Sequence, residues 1–115
     1  MEEEKIIQLF AGYSGCSDEE LENCRLLCQA AENRLRRMLK NPQIEEDAAD
    51  ELNLLAAIWA AGEYLMLQEG ERTVKVGEIE ISCKDRSEAL LSMKDLMMAQ
   101  NAQWFLGNGF HVKMV

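Results

Sequence analysis

The sequence predicts a mainly α fold: a small bundle of three long helices plus a short N-terminal helix, with one β-hairpin inserted before the last long helix. Three observations predict it. Apolar residues recur at helical spacing through three long segments. Two four-residue runs alternate with period two around a Gly-Glu pair. Pro42 and the glycines punctuate the patterned segments. Residues 1–106 read as one helical domain with the hairpin at about 72–83, and 107–115 read as a C-terminal tail that alternates weakly, like a strand.

Ile6, Ile7, Leu9 and Phe10 predict a short first helix ending near Gly12. Ser17-Asp18-Glu19-Glu20 matches the S-x-x-E capping box and opens a long second helix. Leu21, Cys24, Leu27, Cys28, Ala31, Leu35, Met38 and Leu39 follow its apolar spacing. Lys40-Asn41-Pro42 ends it, because the residue before proline avoids the helical region. A third helix is expected from about Glu45 to Gln68. Its apolar stripe (Leu52, Leu55, Ala56, Ile58, Trp59, Gly62, Leu65, Met66) is broad enough to predict contact with more than one neighbour, and Gly70 is its stop.

Thr73-Val74-Lys75-Val76 and Ile79-Glu80-Ile81-Ser82 then alternate, and Gly77-Glu78 fits a two-residue II′ turn. That register sets Val76 against Ile79 and Val74 against Ile81 on one face, with Lys75 opposite Glu80 on the other. A one-residue slip destroys both matches. Asp85-Arg86-Ser87-Glu88 reads as a second cap opening the last helix, which runs through Leu90, Met93, Leu96, Met97, Trp104 and Phe105 to Gly107-Asn108-Gly109.

Composition narrows the function. The 115 residues include 12 Lys and Arg against 21 Asp and Glu, a net charge of −9. A negative balance argues against gripping nucleic acid, since phosphate neutralisation needs clustered cations. No apolar run approaches the ~18 residues of a membrane span, and the acidic start lacks the basic region of a secretory signal. Leu, Ile, Val and Phe supply 28 residues, enough for a folded soluble domain. Without export the four cysteines stay reduced. Cys24 and Cys28 share a helix face with Leu21, Ala31 and Leu35, which makes them small core residues, and no C-x2-C pair proposes a metal.

The charge is uneven. Residues 25–40 carry five bases and one acid, and residues 41–71 carry eight acids and no base. Arg34, Arg36, Arg37 and Lys40 sit where a helix C-terminus favours cations, and Glu45, Glu46, Asp47 and Asp50 where the next N-terminus favours anions. Glu32 and Arg36 form a favourable i,i+4 pair. A basic surface for a partner is the competing explanation of the same block. The acids also raise an enzyme reading, with Glu19 and Glu20 converging with Glu46 and Asp50 on Mg²⁺ as in helical nucleotide pyrophosphohydrolases, but helix starts account for them. His111, the one histidine, has no Ser or Cys motif around it, and no G-x-S-x-G, phosphate-binding loop or H-E-x-x-H occurs.

The order of elements carries a family resemblance. A capped helix with "ENCRLLCQAAENRLRRML" is followed by an acidic turn, "DELNLLAAIWAAGEYLML", the hairpin "TVKVGEIEIS" and a last helix "SEALLSMKDLMMAQNAQWFL". Over roughly residues 17–106 this resembles the head–tail connector (neck adaptor) proteins of long-tailed phages and prophages. The resemblance implies a structural protein without catalytic, cofactor or metal residues. It implies a homo-oligomeric ring under the portal protein that links capsid to tail and docks a downstream neck or tail protein. DNA would pass through without specific binding, and a negative lumen would let it slide. No membrane is involved. The expected location is the virion neck, and the bacterial host cytoplasm during assembly. C-terminal segments of relatives reach into the portal, which carries partner binding to Trp104, Phe105, Phe110 and Val112. Inter-subunit contact falls to the hairpin residues Val74, Val76, Ile79 and Ile81, whose edge strands can add a partner strand, and to Met97 among the adaptable methionines Met93, Met97 and Met98 of the last helix. The alternative is a small helical adaptor or regulator; the pyrophosphohydrolase comes third.

Overall fold

A computed structural model describes residues 1–68, 73–76 and 79–106; from 73 to 84 it is the backbone that is described. The chain is mainly helical.

Helix α1 spans Glu3–Ser14 and buries Ile6, Ile7 and Phe10, with Glu3 and Glu4 in its first turn where the helix dipole favours anions. It does not end near Gly12 as the sequence predicts. Gly12 has open space where a Cβ would stand, and nothing there forces the chain to turn. The stop is Gly15, whose φ of 70° is left-handed and whose N–H donates to the carbonyl of Ala11 at 3.0 Å. A Cβ at Gly15 meets little, 3.6 Å from Arg86 Nη2, so the obstacle to other residues is the backbone conformation. Gly15→Ala is expected to cost about 1 kcal/mol, read as a shift in the denaturant midpoint with unchanged slope.

Helix α2, Asp18–Met38, opens as the sequence predicts. Ser17 Oγ accepts from the Glu20 N–H at 3.3 Å, and acids fill the first turn. Cys24, Cys28, Ala31 and Leu35 line its buried side, and the helix caps at Leu39, before Pro42.

One long third helix is expected, but two are found. Helix α3 covers Gln43–Asp47 and helix α4 covers Ala49–Leu67, with Ala48 between them at φ −117°, ψ 32°. Hydrogen bonds continue on both sides, from Ala48 N to the Ile44 carbonyl and from Leu52 N to the Ala48 carbonyl, each 2.9 Å. The break is therefore a kink. It keeps Ala48 buried while Glu45 turns toward Arg36. Nothing local marks it, because alanine favours the helix.

Helix α4 is buried nearly all round, from Leu52 through Ala56, Ala60 and Tyr64 to Leu65. It packs against α1, α2 and the last helix, so its broad stripe is used within the chain, except for Met66, which is exposed.

Strands β1 (Thr73–Val76) and β2 (Ile79–Ser82) pair antiparallel, with Val74 opposite Ile81, Lys75 opposite Glu80 and Val76 opposite Ile79. Gly77-Glu78, the expected turn, lies outside the described residues.

Helix α5 runs Cys83–Gln100. It starts two residues before the Asp85 cap that the sequence predicts. Ser87 is buried inside the helix, and its hydroxyl donates to the Gly62 carbonyl of α4 at 3.0 Å. The helix also does not reach Gly107. After Gln100 the chain makes one 3-10 turn, Ala102–Trp104, and Phe105 becomes extended. Lys40 N donates to the Trp104 carbonyl at 2.9 Å and Leu106 N to the Met38 carbonyl at 2.7 Å, while Phe105 bridges Leu39 antiparallel. The end of α5 is thus tied back to the end of α2. The core joins Ile6 and Phe10 of α1, Cys28 and Leu35 of α2, the centre of α4, and Leu90, Met98 and Phe105. Among the described residues no helix is long and apolar enough to cross a membrane.

Candidate functional site

The basic block of α2 resolves residue by residue. Arg25 reaches Glu4 and Glu22, each at 3.2 Å, and Glu3 at 3.5 Å. Arg34 binds the Glu63 carboxylate of α4 through both guanidinium ends, one at 2.8 Å. Its Cζ also lies 4.4 Å from the centre of the Trp59 ring, and Lys94 Nζ of α5 lies 4.7 Å from the same centre. Trp59 therefore receives a cation from α2 and another from α5, the two helices that flank α4.

Arg36 pairs with Glu45 through Nε at 2.8 Å and Nη2 at 2.9 Å, and with Glu32 at 2.7 Å. The Met1 amino group adds a third contact to Glu45 at 2.8 Å. The hydrogen bonds from Arg36, then the one from the amine, hold the Glu45 carboxyl down from 4.5 to about 2. A depressed carboxyl stabilises the fold fully above its unfolded value. Stability should fall as pH drops from about 4.5 toward 2, and Glu45→Gln should flatten that part of a pH series of denaturant midpoints.

Arg37 and Lys40 remain exposed, and among the described residues they form no ion pair. The basic helix end and the acidic helix start thus meet at Arg36 and Glu45, while Arg34 takes its acid from further along α4.

The other end of the bundle holds the cysteines. Cys24 and Cys28 are buried, and burial raises their thiols to about 11 and about 12. That suppresses the thiolate and with it nucleophilic chemistry. Cys16 is half-buried nearby, and the side chain of Cys83 lies outside the described residues. Tyr64 packs edge-on against Phe10 at 5.6 Å and donates its hydroxyl to Glu20. Glu20, weighed for Mg²⁺, is thereby engaged by Tyr64 and by the Ser17 hydroxyl. Among the described residues no group of three or more His, Cys, Asp or Glu side chains is placed to hold a metal.

The expected partner residues separate. Phe105 is fully buried in the chain's own core, so no partner reaches it while that core is closed; this corrects its assignment as a contact residue. Trp104 is half-buried beside it, with ring centres 6.2 Å apart. Met97 is half-buried against the core and Met98 is wholly inside it, which leaves Met93 alone of the three well exposed. Phe110, Val112 and His111, and the side chains of Val74, Val76, Ile79 and Ile81, lie outside the described residues.

Among the exposed leucines that sequence reasoning missed are Leu26 and Leu96. Leu26 on α2 is 73% exposed and Leu96 on α5 is 58% exposed. The signal for Leu26 was present, since it lies off the buried stripe of Cys24, Cys28, Ala31 and Leu35. Leu96 was hidden in a helix whose apolar residues run almost all round. Chemically, these groups offer contact surfaces: exposed apolar side chains set among charges, of which Arg37 and Lys40 form no ion pair among the described residues.

No protein-family model matches the chain, and neither the curated proteins nor the solved structures yield a match.

Proposed function

We propose that this chain is a structural subunit of a head–tail connector of a long-tailed phage or prophage. It acts as a ring under the portal that joins capsid to tail. The observation that carries this is the order of elements: two long helices, α2 and α4, a pair of short strands, a last long helix α5, and a tail beyond it. Further support comes from the return of α5 to α2. Hydrogen bonds at Trp104 and Leu106 hold the last described residues to the end of α2. Phe105 is buried in the core, and contact with the portal falls to Phe110 and Val112, together with Trp104. The acidic surface suits a channel that DNA passes without being gripped. The protein works at the virion neck after folding in the host cytoplasm.

Truncation after Leu106 is expected to abolish binding to the portal protein of the same phage, as read in a pull-down with purified portal, and to leave the thermal melt unchanged. Portal binding at full strength by the truncated chain overturns the assignment.

A further inference from the structure

Two helices that both pack on α4 carry charge-poor apolar stripes on their outward sides. On α2 the exposed stripe is Leu26, Ala30 and Asn33, continuing to Arg37 near the end of the helix. On α5 it is Ala89, Met93 and Leu96, with Asp85 and Glu88 at its start. Leu26, Leu96 and Met93 are 73%, 58% and 39% exposed. Leu96 lies half a turn round α5 from the buried Ser87, so no partner within the described residues covers this side.

The two stripes match in length and charge. Leu26 and Arg37 are eleven residues apart, as are Leu96 and Asp85, a rise of about 16 Å in each helix. Laid antiparallel with Leu96 on Leu26, the acidic start of α5 meets the basic end of α2. Laid parallel with the same leucines in contact, Glu88 falls level with Asp18, next to Glu19, and like charges oppose that arrangement.

We propose that the Ala89–Met93–Leu96 face of α5 in one copy packs antiparallel on the Leu26–Ala30–Asn33 face of α2 in a second copy, with the acidic start of α5, where Glu88 lies, beside Arg37. Because the two faces belong to different helices, the contact is head-to-tail, and repetition closes a ring or extends a filament. The contact deepens the connector function proposed above and rests on it by naming the surface between subunits.

Sedimentation equilibrium of the full chain, from micromolar to millimolar concentration, tests it. The unaltered chain is expected to self-associate. Leu26→Glu and Leu96→Glu, each with an unchanged circular-dichroism melt, should each weaken association by about thirtyfold or more. Arg37→Glu should also weaken it, and adding Glu88→Arg to the same chain should restore it. A chain that stays monomeric throughout overturns the contact, as do variants that associate like the parent. Either failure leaves the connector function to the portal-binding measurement, which does not depend on self-association in isolation.

Discussion

Phe105→Ala should destabilise the folded chain by about 4 kcal/mol. Phe105 is fully buried, and it sits where the return strand from α5 bridges Leu39 at the end of α2. Removing the ring leaves a cavity that Trp104, edge-on at 6.2 Å, cannot fill without leaving its own place. The hydrogen bonds from Lys40 and Leu106 then hold a segment that has lost its apolar anchor. Denaturant unfolding should show the loss as a lower midpoint. The result separates two roles: a residue that only contacts a partner leaves the midpoint where it was and weakens binding, whereas a core residue moves the midpoint first.

The second large effect is expected at Gly62. A Cβ there would stand 2.8 Å from Leu91 Cδ2 and 2.9 Å from its Cγ, closer than side chains approach. The same turn of α4 accepts the Ser87 hydroxyl at 3.0 Å, so α4 and α5 are held close at this point. Two terms oppose each other in Gly62→Ala. Alanine gains about 1 kcal/mol of helix propensity, and overpacking costs roughly 1–3 kcal/mol. Leu91 is half-buried and its end can turn aside, so alanine should come out near neutral or mildly destabilising. Gly62→Val adds two more carbons against Leu91 and loses most of the propensity gain. Its cost should reach about 3 kcal/mol. Combining Gly62→Val with Leu91→Ala should cost less than the sum of the two single changes, because the pair shares one space. Strict additivity in that double-mutant cycle would contradict the close approach.

These elements show what a sequence of this kind reveals. Helix α2 was legible at both ends because local chemistry sets them: a serine cap on the Glu20 N–H and a proline after the last turn. The strand register was legible because period-two alternation leaves one way to match Val74 with Ile81 and Lys75 with Glu80. Where tertiary contacts decide, local signals misled. Asp85-x-x-Glu88 has the residues of a capping box, yet Ser87 is drawn under Gly62 and the helix begins before it. Trp104 and Phe105 kept apolar spacing after Gln100, although the backbone had left the helix. Spacing records which side chains are buried, and here a 3-10 turn and an extended residue bury them as well as a helix would.

The candidate surfaces were legible in a different measure. The charge blocks pointed to a basic helix end near an acidic helix start, without naming the pair, and Arg36 and Glu45 are where the two meet. They could not place Arg34 on Glu63 and Trp59, because that contact depends on how α2 crosses α4. The width of the α4 stripe pointed to several neighbours, and those neighbours are α1, α2 and α5 of the same chain. Leu26 and Leu96 stand exposed instead on the outward sides of α2 and α5.

The most direct test of the central claim is electron microscopy of the purified full chain mixed with assembled portal protein of the phage that carries it. The connector function predicts closed rings of this protein seated coaxially on the portal, and none seated when the chain is cut after Leu106. Portal particles that remain bare at saturating concentrations of the full chain would contradict it.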